Sequence, residues 1–220
     1  MGGWFEFTAA LLLFLASHAF PVRPPLRPWL MARLGRGGYF LGYSLLSLAV
    51  LAWLIGAAAR APYAGVLPPW EAFRWVPLLV MPFACLFAVA GLTGRNPLSF
   101  GGTGPRSFGP ARPGMLAASR HPLLAAMALW AGAHLLANGD LAHVLLFGIF
   151  AAFALAGMAM IDRRRQREMG QAEWQRLSRN TARFHPARLR PTGLQAALAA
   201  GLFLVLLALH TPVIGLAPLP

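Results

Sequence analysis

Six apolar runs recur along this chain, each close to the roughly 20 residues that an α-helix needs to cross about 30 Å of hydrocarbon. They span about 4–20, 38–59, 75–93, 115–137, 141–161 and 194–215. The runs are continuous rather than alternating, so they carry no β-barrel signal. Only 11% of the 220 residues are charged and 58% are hydrophobic, more apolar surface than a water-soluble fold of this length can bury. The predicted fold class is all-α: a polytopic membrane helix bundle of about six transmembrane helices, forming a single membrane domain over residues 1–220.

The charges lie between the runs. All 19 basic residues are arginines, and 17 of them fall in three alternate connections. Four lie in 21–37 (Arg23, Arg27, Arg33, Arg36), four in 94–120 (Arg95, Arg106, Arg112, Arg120) and nine in the basic segment 162–190. By the positive-inside rule these connections face the cytoplasm and both termini lie outside it. The net charge of +13 therefore points to anionic membrane lipids as partners, not to nucleic acid. Residues 1–20 lack a basic leading region and a clean small-residue cleavage site, so the first run is expected to be a retained helix. The lone cysteine, Cys85, excludes an internal disulfide and any multi-cysteine metal site, and it reads as packing.

The connections have their own signals. Pro21, Pro24, Pro25 and Pro28 preclude a regular helix over 21–28, and Gly35, Gly37 and Gly38 break the chain before the second run. Tyr63, Trp70 and Trp75, with Pro68 and Pro69, suit an interfacial aromatic belt. The segment from Gly94 to Gly114 reads as a linker or as a lid, and composition leaves both open. Asn138-Gly139-Asp140 is a turn sequence between the fourth and fifth runs, with Asp140 placed to cap the fifth. Ser119 is placed to cap a fourth helix that has Pro122 in its first turn. Met158–Leu177 is expected to continue the fifth helix beyond the membrane or to lie along its surface, with Trp174 and Leu177 as an apolar edge.

Threading the helices sorts the histidines by depth. His18 ends the first run and His121 begins the fourth, both on the inner side; His185 is a weaker third member. His134, His143 and His210 form an outer layer. His121 and His134, thirteen residues apart, are separated by ~20 Å of helix axis and cannot share one small site. Facing histidines from two helices are what axial ligation of haem iron requires. His18 and His121 are thus the candidate metal ligands, with Arg120 and Arg23 as candidate partners of haem propionates. The plainer reading, ordinary hydrogen bonding at headgroup level, stays open. No H-E-x-x-H, G-x-S-x-G or paired aspartates occur in the apolar runs, which argues against intramembrane proteolysis or metal-dependent phosphatase chemistry.

Several stretches taken together resemble the NnrU family of bacterial membrane proteins. They are Ser17-His18 with Pro21 and Arg23, Gly35 through Tyr43-Ser44-Leu45, Arg120-His121-Pro122, and Ala133-His134-Leu135-Leu136-Ala137-Asn138-Gly139-Asp140. The resemblance covers residues 5 to about 165. That family is associated with nitric oxide and nitrite metabolism in denitrifiers, and it is similar to the 15-cis-zeta-carotene isomerases, haem b membrane enzymes with histidine ligands. The resemblance implies a bacterial inner-membrane protein that binds haem b through His18 and His121. Its ligand or substrate would be nitric oxide or a small apolar molecule from the bilayer.

A second set of residues resembles the isoprenylcysteine and phospholipid methyltransferases: Arg120-His121-Pro122, then Glu168, Gly170, Glu173, Trp174 and Arg183-Phe184-His185-Pro186. It implies S-adenosylmethionine binding at the cytoplasmic mouth. The chain departs from that pattern, having two separated glutamates in place of an adjacent pair and Leu124 where an aromatic is usual. A non-catalytic accessory or assembly role is the third alternative.

Overall fold

The computed structural model describes residues 2–68, 70–100 and 108–219. Part of the Gly94–Gly114 segment, with Arg106, lies outside the described residues, as does Pro69, so the choice between lid and linker is not decided there. Among the described residues seven α-helices follow in chain order: α1 (Gly2–Ala19), α2 (Leu26–Arg60), α3 (Glu71–Thr93), α4 (Pro122–Asn138), α5 (Leu141–Met169), α6 (Gln171–Ser178) and α7 (Gly193–Ile214). Short 3₁₀ turns occupy Gly114–Ala117 and Pro186–Arg188. Among the described residues the only β-type pairing is an isolated bridge between Gly65 and Asp140.

By length and composition α2, α3, α5 and α7 can each cross a membrane. The apolar helix α4 has 17 residues, which at 1.5 Å per residue reaches about 25 Å. Helix α1 has 18 residues. The chain is an all-helical, multi-pass membrane protein.

Helix boundaries follow local chemistry. The proline-rich break is shorter than expected, because α2 already begins at Leu26 and carries Pro28 within its first turn, where the ring displaces no helical hydrogen bond. The glycine break is real: Gly35 sits at φ 69°, ψ 168° and interrupts α2. A Cβ is strained in that conformation. A Gly35→Ala chain is therefore expected to lose about 1–2 kcal/mol of stability, read as an earlier unfolding transition in detergent. An unchanged transition would show that the break is not needed.

Helix α4 starts seven residues later than the apolar run suggests. Pro122 is its first residue, and the proline ring disfavours helical backbone in the residue before it; His121 lies at φ −121°, ψ 62°. Ser119 is not its cap. The Ser119 hydroxyl accepts from the His121 N–H (3.1 Å) and donates to the Arg183 carbonyl (2.8 Å). At the other end Gly139 closes α4 through its N–H to the Leu135 carbonyl (3.3 Å). Asp140 does cap α5, with Oδ1 accepting the His143 N–H at 3.2 Å. Helix α5 continues to Met169, and after Gly170 the short α6 buries Trp174 and Leu177. Thr192 and Gln195 form a reciprocal capping box at the start of α7.

The chain divides into two compact units, Met1–Val66 with Asp140–Leu146, and Leu67–Gly139 with Phe147–Pro220. In the first, α1 packs on α2, burying Phe7, Ala10 and Phe14 from one helix and Tyr39, Val50 and Leu54 from the other. The exposed pair Glu6–Arg60 (2.6 Å) and the Trp53 indole N–H to Glu6 (3.1 Å) join their far ends. In the second unit α3 packs on α4 and α7. Its main core gathers Phe87, Ala90, Met115, Ala118, Ala125, Ala126 and Met158. Cys85 is a free, buried thiol packed with Val89 and Ala199, the packing role its apolar context suggests. Much of α7 faces outward with leucines and valines exposed, a surface suited to lipid.

Candidate functional site

In the second unit, the connection after α3, the approach to α4, the end of α5 and the 178–193 segment meet at one end. The extended segments 118–121 and 182–185 are stitched together there. Arg120 N–H donates to the Ala182 carbonyl (2.8 Å) and His185 N–H to the Ala118 carbonyl (2.7 Å). Asn96 donates through Nδ2 to the Arg120 carbonyl (2.9 Å), while its Oδ1 accepts the Leu98 N–H (3.0 Å). Leu98, Trp174 and Leu177 then close a small apolar cluster beneath.

A carboxylate lies at the centre. Asp162, on α5, is 3% exposed and accepts four hydrogen bonds. Arg120 Nε (2.8 Å) and His121 Nε2 (2.8 Å) donate to Oδ1; Arg120 Nη2 (2.6 Å) and Arg183 Nε (3.1 Å) donate to Oδ2. The Arg120 fork is bidentate, the geometry that planar guanidinium and carboxylate favour, and its Cζ lies 5.4 Å from the centre of the Trp174 ring. The His121 ring is wholly buried, and its Nδ1 lies 3.2 Å from the Ser99 hydroxyl. With Nε2–H given to Asp162, Nδ1 is the ring nitrogen that faces the Ser99 hydroxyl. Arg165 donates to the Ser99 carbonyl (2.7 Å), fixing that residue in turn.

Taking a carboxylate and a guanidinium out of water costs several kcal/mol per ion, and the arrangement offsets this only because every lone pair of Asp162 has a donor. Sequence reading missed Asp162 and Ser99. The signal for Asp162 was present: it is the single aspartate among the arginines that follow the fifth apolar run, and an antiparallel turn at residues 138–140 brings that region beside the start of α4.

The expected ligand residues therefore differ in state. His18, in the first unit, is half-buried at the end of α1, and its Nδ1 lies 2.8 Å from the Phe14 carbonyl. A carbonyl can only accept, so Nδ1 carries the proton and Nε2 keeps the lone pair. The ring lies against Phe14 at 4.2 Å, tilted by 35°, and meets Tyr43 edge-on at 6.1 Å. Arg23 is exposed and has no carboxylate partner among the described residues; the turn beside it is held by the Tyr39 hydroxyl donating to the Pro21 carbonyl (3.0 Å). His121 and Arg120 do meet, but at Asp162: both nitrogens of the ring and the guanidinium fork are engaged. Among the described residues no group of three or more His, Cys, Asp or Glu is placed to hold a metal ion.

Three further histidines bond within their own stretch of chain. His134 Nδ1 bonds the Trp130 carbonyl (2.8 Å), His143 Nδ1 bonds Asp140 Oδ2 (2.7 Å), and His210 Nδ1 bonds the Leu216 carbonyl (2.8 Å). The residues that carry the methyltransferase likeness are also committed internally. Glu168 pairs with Arg164 and Arg165, and Trp174 lies under Arg120. Phe184 lies 5.8 Å from the Phe87 ring. On α6 the Arg176 hydrogen bond holds the Glu173 carboxyl below its usual range.

A family model described as NnrU protein matches residues 6–218. The chain belongs to the NnrU family. The match begins within α1 and ends beyond α7, so it takes in both units and the basic 162–190 segment as well as the stretches quoted above. No curated protein and no solved structure matches the chain. In this NnrU-family chain, then, the most heavily bonded buried charge is the Asp162 node, and the histidine with an uncommitted ring nitrogen at the expected site is His18.

Proposed function

We propose that this NnrU-family protein resides in the bacterial inner membrane, with its three arginine-bearing connections in the cytoplasm, and that it binds haem b with His18 as an axial ligand. The placement of 17 of the 19 arginines supports the orientation. The observation that carries the haem reading is the state of His18. Its Nδ1 is fixed by a backbone carbonyl, as ligating histidines are commonly oriented, which presents Nε2 as the coordinating atom. Phe14 and Tyr43 supply apolar walls, and Arg23, five residues on, is free to meet a propionate.

His121 fits less well in its present bonding. It has the carboxylate partner that metal-bound histidines often have, in Asp162, yet its other nitrogen faces Ser99 in a closed interior. Ligation there requires the Ser99 contact to be given up. Bound haem would supply an iron site for nitric oxide or for isomerase-type chemistry on an apolar membrane substrate. The methyltransferase alternative has less support, because its expected binding residues are held in internal pairs.

The test is an optical spectrum of detergent-purified protein from haem-sufficient cells. We expect a Soret band in the wild type and in His143→Ala, and its loss in His18→Ala. A full Soret band in His18→Ala would end the assignment. Its absence from well-folded wild type would favour a non-catalytic accessory role. His121→Ala separates two roles, since a ligand loses the band and a positioning residue keeps it while unfolding sooner.

A further inference from the structure

The arginines of the second unit fall into two groups. Arg120, Arg164, Arg165, Arg176 and Arg183 each have a carboxylate partner. Arg74, Arg95, Arg112, Arg163, Arg167, Arg179, Arg188 and Arg190 have none among the described residues, and of these Arg179, Arg188 and Arg190 line the same open basin of about 530 Å³. Asn180 completes that side, the 111–117 turn forms the other, and among the described residues no carboxylate lines it.

We propose that this basin binds a phosphate-ester anion, either a phospholipid headgroup or a soluble phosphate ester. Three guanidiniums with no internal counter-charge repel one another unless an anion joins them, and the planar fork of arginine matches phosphate oxygens in pairs. The volume lies within the roughly 300–1,000 Å³ of small-molecule sites.

The frame carrying these side chains is pinned. Asn180 Nδ2 donates to the Pro110 carbonyl (3.0 Å), which ties the end of α6 to the wall opposite. The Arg188 N–H donates to the His185 carbonyl (3.0 Å), and Leu189 packs against the main core. His185 is itself held by Ala118, so the arginines stand on a fixed turn and little backbone order has to be gained on binding. Helix α7 begins at Gly193, three residues after Arg190, which sets the basin at the mouth of a membrane-crossing helix and favours the headgroup. None of this depends on haem.

The full-length chain would be purified in detergent, incorporated into phosphatidylcholine vesicles with and without phosphatidylglycerol, and assayed for retained lipid by mass spectrometry after re-extraction. The variant R179Q/R188Q/R190Q is compared with the charge-matched R163Q/R164Q/R167Q, whose positions lie on α5. We expect the basin variant to retain phosphatidylglycerol at least about tenfold less and the α5 variant to resemble wild type. Equal losses in the two variants overturn the proposal, since general attraction to an anionic surface then accounts for retention. Wild-type binding of radiolabelled inorganic phosphate that the basin variant loses, without preference for phosphatidylglycerol, assigns the site to a soluble phosphate ester. Lipid preference undisturbed by inorganic phosphate assigns it to the headgroup. Should the triple variant fail to fold, R188Q and R190Q alone give the same readout, and wild-type retention in both overturns the site.

Discussion

Replacing Asp162 with alanine is expected to lower stability by about 3–5 kcal/mol, the range for breaking a buried ion pair from one side. The substitution removes the acceptor of four hydrogen bonds. The Arg120 side chain, 14% exposed, is left without a counter-charge, and the His121 Nε2–H, on a side chain at 0%, without an acceptor in a closed interior. Arg183 contributes little, because its side chain is 53% exposed and returns to water. The measurement is the unfolding midpoint of detergent-solubilised protein. A loss under about 1 kcal/mol would place Asp162 among ordinary surface-like sites and contradict its burial. Replacing both charges with apolar residues of similar size, as in Arg120→Met with Asp162→Leu, should recover much of the loss, because the cost lies in the orphaned charge and not in the absence of the pair. His121→Ala on its own is expected to fall between the two.

Gly91→Val should be the next most damaging substitution, near the upper end of the about 1–3 kcal/mol typical of overpacking. Here α3 passes so close to the start of α4 that a Cβ at residue 91 would lie 2.6 Å from Leu123 Cγ and 3.1 Å from the Leu123 backbone nitrogen. The obstruction includes backbone next to Pro122, so a side-chain rotation cannot clear it and the two helices must separate. That separation would reach Ala90 and Ala125, both fully packed in the main core. The same unfolding assay reads the effect; wild-type stability in Gly91→Val would show that α3 and α4 do not meet this closely. Gly91→Ala should show the same sign at smaller size.

The sequence by itself determined the fold class. Apolar runs of spanning length need no tertiary information to be recognised, since the solvent they require is specified by their length and continuity. Breaks with local causes were legible for the same reason: the turn at Asn138-Gly139-Asp140, the cap on α5 from Asp140, and the interruption at Gly35 each depend on a few adjacent residues. The late start of α4 was harder, because the apolar character of Met115–Ala118 suits a buried 3₁₀ turn as well as a helix, and Pro122 decides between them.

Only the tertiary structure decided which charges are buried and with what. Arg120 and His121 were readable as a pair from their adjacency, but their partner Asp162 is 41 residues from His121, and Arg183 reaches the same carboxylate from 21 residues beyond it. Nothing local distinguishes Arg120, whose fork is bound to a carboxylate, from Arg188, which stands over an open basin. Whether a charge is paired depends on what the fold brings within about 3 Å, and hydrophobic periodicity places helices without fixing that distance. His18 was the exception: its ring is oriented by a carbonyl four residues back on its own helix, so its state was set within one turn of the chain.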